Sequence, residues 1–124
     1  MIRNIIGQSE SGFNFREVMD KQKILLISLN KGRIGEENSS FLGLILIPKI
    51  LVAAMSRQDI PRADRKDFFL YVDEFQNFAT PDFAIILSEA RKFGIYLTFA
   101  NQVIGQIEEE FKLAIFGNVG TLCS

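Results

Sequence analysis

At 124 residues and a formal net charge of −1, the chain is one domain at most, long enough for a real core, and has no overall electrostatic pull towards nucleic acid or an anionic membrane. It contains no histidine, which excludes Ser-His and Cys-His nucleophilic sites and His-ligated metals. Cys123 is the single cysteine and has no disulfide partner, so a reducing cytoplasm is the default compartment. Any chemistry therefore falls to carboxylates, amides, Arg and Lys. With 48% hydrophobic residues and twelve Phe, the chain must bury a great deal.

The first eleven residues hold one Arg and no sustained apolar core, unlike a signal peptide. Asn14 followed by Glu17 has the spacing of a capping box and predicts a short helix, FREVMD, ending before Lys21. Residues 23–29, KILLISL, read as a buried strand. Residues 30–35, NKGRIG, read as a loop. Its Lys31 and Arg33 leave open either a phosphate contact at a strand end or an ordinary solvated turn.

From Glu36 the chain turns helical, with acidic residues in the first turn where the helix dipole favours them. The body FLGLILIPKILVAAM is apolar nearly all round, as expected of a helix packed on several sides, and Pro48 should kink it. Residues 41–55 are interrupted by Pro48 and Lys49. Fifteen helical residues cover about 22 Å, short of a hydrocarbon core of roughly 30 Å, so the segment reads as a buried helix. Residues 58–67, polar and containing Pro61, form a surface connection.

Residues 68–76, FFLYVDEFQ, carry the most information. Five apolar or aromatic residues suit a strand buried on both faces, and they run into Asp73 and Glu74 at its carboxyl end, where open α/β sheets place ligands. If both carboxylates belong to the strand they point to opposite faces, which excludes the facing pair of a glycosidase. They fit a division of labour instead, one orienting Mg²⁺ through its waters and the other polarising an attacking water.

Beyond a loop, Thr80-Pro81 starts a helix whose Phe83, Ile86, Leu87, Ala90 and Phe93 form one core-facing stripe. Arg91 sits on its flank, where its planar fork can reach a neighbouring subunit's phosphate. Gly94 can end the helix with a left-handed residue. Residues 95–100, IYLTFA, read as a strand finishing in Asn101-Gln102, a polar tip whose amide can sense a γ-phosphate. Residues 108–116 read as an acid-led helix and residues 120–124 as the start of a further strand. Alternating strands and helices point to α/β with a mainly parallel sheet.

The blocks LYVDEFQNFAT, SEARKFGIYLTFANQ, AIFGNVGTLCS and KILLISLNKGRIGEENSSFLG resemble the FtsK/HerA-type RecA-like P-loop ATPases, and most nearly the TraD/TraG-like coupling ATPases of conjugation and type IV secretion. The resemblance implies a three-layer RecA-like fold, with ATP and Mg²⁺ as cofactors. It further implies a hexameric ring that moves DNA through a central channel, and secretion-system or relaxosome proteins as partners. By resemblance, Asp73 supports the Mg²⁺, Glu74 is the catalytic base, Arg91 the arginine finger and Gln102, beside Asn101, the polar sensor. The family also implies a cytoplasmic position, at the inner face of the membrane through segments outside this chain. A HerA-like helicase-translocase for DNA-end processing shares the same blocks, and a non-catalytic fragment that packs against an intact ATPase is a third reading.

The sequence departs from the family at one point. It contains no G-x-x-x-x-G-K-[ST] phosphate loop; Gly32 and Gly35 are followed by no Lys-Ser/Thr. The expected fold therefore lacks the phosphate-loop strand, that loop being expected upstream of Met1. The chain reads as the Walker B, arginine-finger and sensor half of a motor domain.

Overall fold

A computed structural model describes residues 12–78, 83, 89–100, 112, 113, 117, 120 and 121. The chain divides into two compact units, Met1–Lys66 and Asp67–Ser124.

In the first unit, helix α1 (Phe15–Asp20) has the predicted bounds because Asn14 caps it, accepting from the backbone N–H groups of Arg16 at 2.8 Å and Glu17 at 3.3 Å. The second half of the predicted capping box is replaced. Glu17 turns away from Asn14 and accepts from Lys21 and Lys23, each at 2.9 Å, two full charges outcompeting one backbone N–H. These bonds hold the Glu17 carboxyl down to about 2 from an ordinary 4.5.

Residues 23–29 are not the buried strand expected. They pair with no strand among the described residues, and Ile24 and Leu26 are each 90% exposed. β-propensity describes fitness for a half-buried pleated surface, and without a neighbouring strand it forms no ladder. Ser39, buried in the long helix that starts at Glu36, donates its hydroxyl to Leu29 O at 2.8 Å and fixes the end of this segment. The expected loop at 30–35 is a single helical turn, α2 (Lys31–Ile34), because the Asn30 side chain accepts from Gly32 N at 2.9 Å. Gly35, with φ +86°, separates this turn from the long helix that starts at Glu36.

Helix α3 (Glu36–Met55) contains Pro48, as expected. Its packing differs from expectation. One stripe, Ser39, Leu42, Gly43, Ile47, Ile50, Leu51 and Ala54, is buried, while Phe41, Leu44, Val52 and Met55 are exposed. Val18 and Met19 of α1 are buried as the two helices pack together. Counted through the following turn to Asp59, the helix is long and apolar enough to cross a membrane, a test that core helices of soluble proteins also pass.

The C-terminal end of α3 is held by charge. Arg57, in the 3₁₀ turn Ser56–Asp59, is fully buried; its Nε lies 3.2 Å from Asp20 Oδ1 and its guanidinium donates to Lys66 O. Arg16 pairs with Asp20 at 3.3 Å, holds both Asp59 oxygens at 2.7 Å, and donates to Ser56 O at 2.7 Å. A surface connection was expected from residue 58. Pro61, Arg62, Ala63 and Asp64 are indeed exposed, but Arg57, just before it, is the most thoroughly buried charge among the unit's described residues.

The second unit is built on two parallel strands, β1 (Phe68–Val72) and β2 (Ile95–Phe99), in register from Phe68 opposite Ile95 to Val72 opposite Phe99. The parallel pairing is the one the alternating pattern predicts. β1 is not buried on both faces: Phe69 is 58% and Tyr71 72% exposed, whereas Phe68, Leu70 and Val72 turn inward. One face is covered and the other is not, so the strand alternates despite its unbroken apolar sequence. On the outer face Phe69 stacks on Tyr96 with centroids 5.2 Å apart. On the inner side Phe75, Phe83 and Phe99 form a three-way aromatic cluster, Phe75 lying 4.3 Å from Phe99 and 5.1 Å from Phe83.

Of the predicted helix after Pro81, Phe83, Glu89 and Ala90 are described and helical, with Phe83 and Ala90 buried as the stripe requires. Arg91–Phe93 is a 3₁₀ turn, and Gly94 ends it with φ +74°, the left-handed stop expected. Ile86, Leu87, and most of the helix expected at 108–116 and of the strand expected at 120–124 lie outside the described residues; Lys112 and Leu113, within that helix, are helical.

Two outcomes are expected for the first unit. Arg57→Ala removes a fully buried cation from a partly exposed Asp20 and is expected to lower stability to urea by about 3 kcal/mol; an unchanged midpoint would show the network to be idle. The Glu17 carboxyl is depressed by folding, so its stabilisation is complete above its unfolded value near 4.5 and lost as pH falls towards about 2. Acid titration of the unfolding midpoint should fall across that window, and less so in the Lys21→Ala, Lys23→Ala variant.

Candidate functional site

The parallel ladder brings both strands to an end at the same level. Ala100 N donates to Val72 O at 3.0 Å, and Phe75 N donates back to Ala100 O at 3.2 Å. The turn after β1 is thus tied to the residue that leads β2 into Asn101. Phe75 anchors it from below, its ring fully buried in the aromatic cluster.

Asp73 and Glu74 lie in this turn and not on the strand, which ends at Val72. The expectation that they point to opposite faces is therefore corrected, because strand alternation stops before them. Glu74 has φ +48° and ψ +44°, the left-handed conformation. For a residue with a Cβ this costs about 1–2 kcal/mol relative to the ordinary helical region, and such residues concentrate at functional sites. The surroundings hold Glu74 at each polar group. Its N–H donates to Asp73 Oδ1 at 2.8 Å. Its carbonyl accepts from Asn77 N at 3.1 Å and from Asn77 Nδ2 at 3.0 Å. Its carboxylate Oε2 accepts from the same Nδ2 at 3.2 Å. Asp73 is exposed and Glu74 half-buried.

The other predicted site residues divide. Arg91 is exposed and stands before β2 begins, at the end of the ladder where Phe68 N donates to Gly94 O at 2.9 Å. A strand of five residues separates that end from the Asp73-Glu74 turn, about 16 Å. The fold therefore gathers Asp73, Glu74 and Ala100 and leaves Arg91 at the opposite end. Asn101 and Gln102 lie outside the described residues; Ala100, the residue before them, is at the carboxylate end. Lys31 and Arg33 belong to α2 in the other unit.

Asn77 is the site residue that sequence reasoning missed. Its signal was present: an Asn three residues after an acidic turn residue is placed to bond back to that residue's backbone.

A magnesium ion with a nucleotide triphosphate needs a carboxylate towards the metal, a base for water and a loop of backbone N–H groups around the phosphates. The exposed Asp73 and the braced Glu74 fit the first two. The sequence contains no motif for the third, and among the described residues no three acidic or cysteine side chains cluster to hold a metal by themselves. The residues present suit the metal-and-water half of such a site.

Residues 67–123 match the family described as the TraM recognition site of TraD and TraG. The match covers just under half of the chain, and it starts at Asp67, the first residue of the second compact unit. It supports a relationship to coupling proteins of the TraD/TraG type. No curated protein and no solved structure matches the chain.

The left-handed turn gives a test that is independent of any activity. Both Glu74→Gly and Glu74→Ala lose the carboxylate, but glycine alone is at ease at φ +48°. The glycine variant is expected to be the more stable of the two by about 1 kcal/mol in denaturant unfolding; equal stabilities would contradict the left-handed assignment.

Proposed function

We propose that this chain is part of a conjugative coupling protein of the TraD/TraG type, and that its second unit carries the metal-and-water half of a nucleotide-hydrolysis site. The supporting observation is a coincidence of place: the family match begins where the second unit begins, and the acidic turn ends that unit's first strand.

In this reading the parent fold is RecA-like and works as a hexameric ring moving DNA. Bound magnesium would neutralise charge developing on the phosphates, with Asp73 as the residue towards it. Glu74 would accept a proton from the attacking water, its carboxylate kept at the strand tip by the turn. Arg91, about a strand length away, is suited to a neighbour's site and not to its own. Gln102, with Asn101, would act as the polar sensor of the phosphate. The description of the matching family adds a partner. The second unit would also contribute to a surface that recognises a relaxosome protein of the TraM kind.

The missing phosphate-loop motif favours a restricted role for the chain by itself. It is expected to show no ATP turnover when purified alone. Turnover that Glu74→Gln abolishes would contradict this. Partner recognition is tested by titrating the isotope-labelled chain with a TraM-type protein. Amide shifts concentrated within residues 67–123 are the expected result; no shift at saturating partner would remove the recognition reading.

A further inference from the structure

We propose that Asn77 is the positioning residue of Glu74, setting the direction of its carboxylate and the conformation of its backbone through one side-chain amide. The proposal rests on the reading of Glu74 as the residue that receives the proton from water. Its physical basis is the turn itself. Glu74 occupies the left-handed region, which no glutamate adopts without compensation. Asn77 Nδ2 donates to Glu74 O at 3.0 Å and to Glu74 Oε2 at 3.2 Å. A primary amide has two protons, so one group can serve both acceptors. Backbone conformation and carboxylate direction are thereby coupled, since a change in either strains a bond to the same nitrogen.

The residue type matters. Ser or Thr in this place would offer one donor proton and serve one acceptor at a time. The two-proton amide of Asn77 reaches both the carbonyl and the carboxylate of Glu74. Asn77 is itself fixed: it closes the 3₁₀ turn Phe75–Asn77, next to Phe75, whose ring is packed on Phe99 and Phe83. It therefore acts from the rigid side of the turn.

Asn77→Asp is the most direct variant, since it keeps the shape, removes both donors and sets a second carboxylate against the first. NMR of the full 124-residue chain reads its effect. Glu74 Cα and Cβ shifts are expected to leave left-handed values and the Glu74 carboxyl carbon to move, while the β1 and β2 amides stay in place. Asn77→Ser, which has one donor proton, is expected to fall between. Unchanged Glu74 shifts in Asn77→Asp would overturn the proposal. A second arm places Asn77→Asp in the full product of the gene and measures ATP hydrolysis. A fall in kcat of at least tenfold is expected with KM for ATP unchanged, and no further loss when it is combined with Glu74→Gln. If hydrolysis is normal although the shifts move, the positioning role is overturned. If the unsubstituted product hydrolyses no ATP, the reading of Glu74 as a base fails, and the NMR arm alone decides whether Asn77 holds it.

Discussion

The second unit depends on the parallel register of two five-residue strands. Because Val72 stands opposite Phe99, the chain leaves both strands at one level, and two backbone hydrogen bonds, Ala100 N to Val72 O and Phe75 N to Ala100 O, join the exits. A slip of one residue would turn every inward side chain outward. It would also take Phe75 out of the aromatic cluster and Glu74 away from the strand end. The same register that fills the core therefore locates the acidic turn. Arg91 is assigned to the far end by the same geometry, which separates it from Glu74 without any further device.

Backbone conformation and residue identity make opposite demands at Glu74. A left-handed residue in a tight turn is most stable as glycine, yet the position carries a glutamate held by bonds at its N–H, its carbonyl and its carboxylate. Such strain persists only where surrounding structure overdetermines it. The buried Phe75 and the bond to Ala100 supply that structure. In the first unit the contrast is instructive. There the ionic groups hold helices together: Arg57, Asp20, Arg16 and Asp59 form a connected network in which a fully buried guanidinium is paired. Charge serves packing in one unit and is presented at a strand tip in the other.

Much of this was legible in the sequence where the signal was local. Asn14 capped the helix it was expected to cap, Pro48 lies within the long helix, and Gly94 ended its turn in the left-handed conformation. Parallel pairing also followed from the alternation of strand and helix patterns. Features that depended on neighbours were not legible. Residues 23–29 have strand composition but no paired strand among the described residues, and the apolar run of β1 is covered on one face only. Glu17 had the spacing for a capping box, but two lysines nearby offered stronger partners. Asp73 and Glu74 follow the end of a strand, as their sequence position suggested. The left-handed turn that removes them from strand alternation, and the role of Asn77 in it, required coordinates.

The central claim is that the strand pairing joins the acidic turn to the segment leading into Asn101-Gln102. Through-hydrogen-bond scalar couplings test it most directly, from Phe75 N to the Ala100 carbonyl carbon and from Ala100 N to the Val72 carbonyl carbon. Both couplings are predicted to be observed in the isotope-labelled chain. Their absence, or couplings that pair β1 with β2 in another register, would contradict the claim.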